Sequence, residues 1–166
     1  AGGDATTTGD GPRYVSFQSR VTSGLVALAS AYPNAVIEIE GMLWVQGERD
    51  AGTEFASDYE TNLTNFIADV RLTYGDILFV ISRLSSGQTD INASGLATVR
   101  AAQDAVAAAD PRSPLVDTDG FGIKADNLHF DAAGQQQIGH AACEQLLNLY
   151  AFLSPLQLGP GTGGDL

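Results

Sequence analysis

A chain of 166 residues with 44% hydrophobic content supports one compact domain and is too short to suggest two. Eight basic residues against 20 acidic ones leave a formal charge of -12, which repels phosphate backbones and anionic headgroups, so no nucleic acid and no membrane surface is expected as a partner. With Cys143 as its only cysteine the chain has no intrachain disulfide framework and no thiolate metal cluster.

The start, Ala1-Gly2-Gly3-Asp4, lacks the basic-then-apolar pattern of a signal peptide, as a processed or truncated start also would. No run of about 18 apolar residues occurs anywhere. Residues 1–11 and 155–166, rich in Gly, Thr and Asp or in Gly and Pro, read as flexible tails around a domain spanning 12–154. Within it, Tyr14, Phe17, Val21, Leu25 and Leu28 recur at helical spacing, and Pro33-Asn34 supplies a stop. Ala35 to Val45 then reads as a strand covered on both faces. A second helical stripe runs from Phe55 to Val70, with Ser57 and Glu60 at capping-box spacing and Gly75 just past its end. Ile77 to Ile81 reads as a short buried strand, Ser94 to Ala109 as an alanine-rich helix closed by Pro111, and Leu115-Val116 as the start of a third strand. Asp131 can cap a last helix through Ile138, Ala142, Leu146 and Tyr150, where Cys143 is expected as a small buried hydrophobe. The alternation implies an α/β fold, a three-layer sandwich around a parallel sheet as in flavodoxin-like proteins, with only about three strands. So few strands leave the first one an exposed edge.

In open parallel sheets ligands sit beyond the carboxyl ends of the strands, and two of the loops there hold polar clusters. Trp44-Val45-Gln46-Gly47-Glu48-Arg49-Asp50-Ala51 ends the first strand, and Asp126-Asn127-Leu128-His129-Phe130-Asp131 precedes the last helix. An aspartate three residues before a histidine can hold Nδ1 of the ring, fixing the tautomer while Nε2 takes a proton. Alone, such a pair is more often a turn-capping Asp126 beside a surface His129. Gln46 adds a side-chain amide donor and Gly47 a backbone that a ligand can approach closely, which together suit a developing oxyanion.

The two segments GMLWVQGERDA, Gly41 to Ala51, and DNLHFDAAGQQQIG, Asp126 to Gly139, resemble the sialate O-acetylesterase-like, carbohydrate esterase family six branch of the SGNH hydrolases. The FVISRLS strand, VRAAQDAVAAADP and VDTDG fall in the same order, so the resemblance covers about Gly11 to Leu149. It implies His129 as general base, Asp126 as its orienting partner, Gln46 and Gly47 as part of the oxyanion site, and Glu48 bracing the loop at the substrate. Arg83, at a strand end, is a candidate contact to an anionic sugar, with a surface arginine as the default reading. The implied activity is serine ester hydrolysis of acetyl groups on polysaccharide or sialic acid, with no cofactor, no metal and a secreted or periplasmic location.

The same resemblance calls for a Gly-Gln-Ser-Asn-like block carrying the nucleophile, a second glycine block and two further N-terminal strands, none of which is found in this sequence. Ser19, inside the first helical stripe, and Ser85 and Ser86, after the second strand, are read as ordinary polar residues. Asp117-Thr118-Asp119-Gly120 reads as a turn rather than a calcium loop, and His140 as a helix-surface residue. Three alternatives follow: an esterase whose serine lies on sequence outside this chain, a non-catalytic carbohydrate-binding or scaffold protein of the same fold, and a homodimer or complementary chain joined at the first-strand edge.

Overall fold

The computed structural model describes residues 11–153, so the expected tails lie outside the described residues apart from Gly11. Helix α1 spans Pro12–Ala31, β1 Gly41–Val45, the single turn α2 Glu48–Ala51, α3 Tyr59–Tyr74, β2 Leu78–Ser82, α4 Ala93–Ala109, β3 Leu115–Val116 and α5 Ala132–Leu153. The three strands form one parallel sheet in the order β1-β2-β3. Helices lie on both faces, giving the α/β sandwich that the alternation of patterns implies.

Strand alternation sorts the core into two layers. Phe79 and Ile81 of β2, with Met42 and Trp44 beside them on β1, meet Leu63, Ile67 and Val70 of α3 and Val99 and Val106 of α4. On the other face Val80 and Val116 pack with Ala142 of α5. Each of the five residues of β2 is buried, because it has a strand on either side and a helix over each face.

Four local expectations are corrected. Ala35 to Glu40 is not strand: β2 begins at Leu78, so apart from the Glu40 carbonyl, which accepts from Leu78 N–H at 3.2 Å, the register Gly41↔Leu78 leaves these residues without strand partners, and Val36 stands 85% exposed. Nor is β1 covered on both faces, since Leu43 and Val45 are exposed on the side facing α5. The Phe55 stripe begins in a 3-10 turn, Glu54–Asp58, capped by Thr53, so Ser57 and Glu60 form no capping box while Gly75 does close α3 at φ 89°. Cys143 is exposed, because Ile138 and Ala142 occupy the buried stripe and the next residue turns about 100° away from it. Tyr150 lies within α5, but its side chain is outside what is described.

Gly95, in the first turn of α4, lets that helix cross α2 closely: a Cβ there would stand 1.8 Å from the carbonyl oxygen of Ala51. That contact holds the segment after β1 against α4.

Candidate active site

The histidine turn is built by its own backbone. Ile123 bridges antiparallel to Phe130, Lys124 N–H donates to the His129 carbonyl at 2.8 Å, and Asn127 takes the left-handed conformation, φ 54°. Within this loop Asp126 Oδ1 accepts from the N–H groups of Leu128 and His129, both at 2.9 Å, and Oδ2 lies 2.9 Å from Nδ1 of His129. The His129 and Leu128 N–H groups, together with the imidazole, hold the Asp126 carboxyl far below the usual carboxylate range. A carboxylate on Nδ1 leaves Nε2 of the exposed His129 as the ring nitrogen available for proton transfer.

His129 and Glu48 line one cleft of about 380 Å³ with Leu43, Val45, Lys124, Phe130 and Gln135. Among the described residues lining it none is a serine. Asp131 caps α5 as expected, its Oδ1 accepting from Gly134 N–H at 2.7 Å.

At the end of β1 the Gln46 carbonyl accepts from Tyr59 Oη at 2.9 Å and Gln103 Nε2 at 3.1 Å. A trans peptide sets N–H opposite C=O, so these two donors direct Gly47 N–H away from α3 and α4. Gly47 has φ 143°, where side chains are strained, and a Cβ would meet Val99 at 3.0 Å and Leu84 at 3.2 Å. The Gln46 amide donates from Nε2 to Asp50 Oδ2 at 2.5 Å. A carboxylate only accepts, so Asp50 fixes the NH₂ end of that amide and leaves its second N–H for another acceptor. The Gln46 side chain lines a neighbouring cleft with Arg13, Trp44, Asp50, Tyr59 and Asn62, on the α3 side of β1, whereas His129 stands on the α5 side. The structure thus brings His129, held by Asp126, and Glu48 to one cleft, with the Gln46 side chain in the neighbouring cleft and Gly47 at the end of β1.

The model of a family described as carbohydrate esterase, sialic acid-specific acetylesterase, matches residues 13–148. This chain belongs to that family. The X-ray structure of a protein from Arabidopsis thaliana is similar, with 28% identity and a TM-score of 0.58 over 67% of this chain. The match spans 45% of that protein's chain, so this acetylesterase-family chain corresponds to less than half of that relative's length. No curated protein sequence matches it significantly.

Arg83 stands apart from both clefts. Its guanidinium is ion-paired with Asp104 at 3.1 Å, Asp117 at 2.6 Å and Asp119 at 3.6 Å, and an anionic sugar would compete with all of them. Asp119 also receives Arg100, whose guanidinium holds that carboxyl well below the usual range. These pairings make 117–120 a turn tied down by arginines, and among the described residues no cluster suited to a metal occurs. Ser85 is buried with its Oγ accepting from Gly87 N–H, while Ser19 and His140 are exposed on helices.

Sequence reading missed two buried glutamines. Gln103 falls in the α4 stripe with Leu96, Val99 and Val106, and a polar residue at a core position was the signal that could have found it. Its Oε1 accepts from Leu84 N–H at 2.9 Å while Nε2 serves Gln46, so it ties the ends of β1 and β2 together. Gln88 lies in a polar loop with no periodicity to mark it.

Proposed function

We propose that this chain carries the acid–base and oxyanion groups of a serine O-acetylesterase acting on acetylated carbohydrate, with the nucleophilic serine supplied by sequence outside the chain. The observation that carries this reading is the His129–Asp126 pair, aligned through Nδ1 in the cleft bordered by Glu48, with the Gln46 amide, its donor end fixed by Asp50, in the neighbouring cleft. In the reaction, Nε2 of His129 accepts the serine proton as the hydroxyl attacks the acetyl carbon, and Asp126 stabilises the imidazolium. Gln46 Nε2–H and Gly47 N–H are the donors for the carbonyl oxygen as it gains charge. His129 then returns its proton to the sugar oxygen as that leaves, and activates water against the acyl-enzyme. Glu48 borders the cleft where the substrate would lie.

The outer edge of β1 supports the placement of the missing group. Among the described residues β1 pairs only with β2, and the exposed Leu43 and Val45 of that edge line the His129 cleft. A further strand added there from a complementary segment would bring its carboxyl end to the imidazole. If a second copy of the chain fills this edge instead, sizing in solution yields a dimer; a stable monomer removes that option.

A serine-directed fluorophosphonate, with adducts mapped by peptide mass spectrometry, tests the reading. No labelling of the folded chain, with labelling and acetate release restored when the complementary segment is present and lost again in His129→Ala, is the expected result. A single serine of this chain labelled in a His129-dependent way would overturn the external nucleophile. A non-catalytic carbohydrate-binding protein is the second reading, favoured by the absence of serine among the described residues lining the His129 cleft. It predicts sugar binding with no acetate release under either condition.

A further inference from the structure

The histidine turn makes its own geometry, yet something must set where that turn stands relative to the end of β1. The side chain of Gln88 is fully buried and uses its amide in three directions. Oε1 accepts from Ser85 N–H at 2.8 Å, while Nε2 donates to the Leu128 carbonyl at 2.7 Å and toward Glu48 Oε1 at 3.4 Å. Only one orientation of the amide satisfies a backbone donor on one side and two acceptors on the other. The side chain therefore joins the loop after β2, the residue beside His129, and the first residue of α2.

We propose that Gln88 is a positioning residue, which docks the histidine turn and registers it against Glu48 at the end of β1. The inference deepens the esterase reading, since it assigns what places the general base, but its contacts hold whether or not ester is hydrolysed. A second link, from Asp90 N–H to the Asn127 carbonyl at 3.2 Å, ties the same turn to the same loop without touching Gln88. The Asp90 amide is therefore an independent reporter of whether the turn is docked.

The test compares amide hydrogen exchange in the full chain with Gln88→Glu and Gln88→Met, at a pH where the introduced glutamate is ionised. Glutamate keeps an acceptor for Ser85 N–H and loses the donor to Leu128; methionine loses both. Exchange at Asp90 should rise about tenfold or more in both variants, with the imidazole nitrogen signals of His129 shifted, while Phe79 to Ile81 in β2 stay as protected as in the parent. Exchange at Ser85 should rise in Gln88→Met alone. Asp90 exchange and His129 signals unchanged in Gln88→Glu would overturn the proposal, and so would a uniform rise that includes β2, which would make Gln88 a general packing residue. If Gln88→Met fails to fold, Gln88→Glu decides alone. None of these readouts depends on acetate release, so they separate failure of this inference from failure of the esterase reading.

Discussion

Strands β1 and β2 lie side by side in register, five residues against five, yet they have opposite surroundings. All of β2 is buried, and the loops beyond it are held by polar contacts through Gln88, Gln103 and the Arg83 and Arg100 ion pairs. Along β1, Leu43 and Val45 are exposed, and α1 behind it buries only Tyr14, leaving Val26 and Leu28 open to solvent. The difference teaches that the histidine turn is tied to the loop after β2 by hydrogen bonds within this chain, whereas among the described residues the far edge of β1 has no partner strand.

Matched truncations on the paired strands should expose this asymmetry most strongly. Phe79→Ala, at a fully buried site, is expected to cost about 3–5 kcal/mol in urea unfolding, while Leu43→Ala, one position along on the neighbouring strand and on its other face, should cost under about 1.5 kcal/mol. Equal costs would mean that β1 is covered after all. Gly95→Ala comes next, because its Cβ would collide with the Ala51 carbonyl; a loss of about 3 kcal/mol, accompanied by disturbed Gln46 and Gly47 signals, is expected.

A smaller effect separates the two donors on the Gln46 carbonyl. Tyr59→Phe should cost about 1 kcal/mol, since Gln103 still serves that oxygen. Burial pushes the Tyr59 hydroxyl up from 10.0 to about 12, so the fold favours its protonated form. The extra stability of the parent over Tyr59→Phe should therefore be constant below about pH 10 and fall as pH rises toward about 12. A difference that stays level through that range would show that Tyr59 is solvated.

The smallest effect concerns the turn itself. The Asp126 carboxyl, held by the His129 and Leu128 N–H groups and the imidazole, should titrate far below the usual value of about 3.9. Its contribution to the turn is present above that usual value and lost only as pH falls through the lowered one. A carboxyl carbon titration by NMR with its midpoint near 4 would mean that the turn bonds open in solution.

Much of this was legible in the residues alone. The strand–helix alternation carried the fold class, because apolar periods of two and of 3.6 are local properties of a sequence. The Asp126–His129 pair was equally readable, since both groups lie within one turn and the backbone between them does the positioning. Gly47 was read there as a point of close backbone approach, and only the structure shows its φ of 143° and the Val99 and Leu84 side chains that a Cβ would meet. The fate of Ala35 to Glu40, by contrast, was not readable: those residues have the composition of a strand, and only the point where β2 begins decides that they lie ahead of the paired register. Cys143 shows the same limit within a helix, where a shift of one position separates a buried face from an exposed one. Gln88, Gln103 and the carboxylates around Arg83 act between segments far apart in the chain, so their partners come into being only when the loops are brought together. By itself the sequence determined the layers and the two chemical motifs, because those depend on neighbours along the chain. Tertiary structure alone decided where β1 begins, where the histidine turn stands and which charges are already matched, because these depend on contacts that no local pattern encodes.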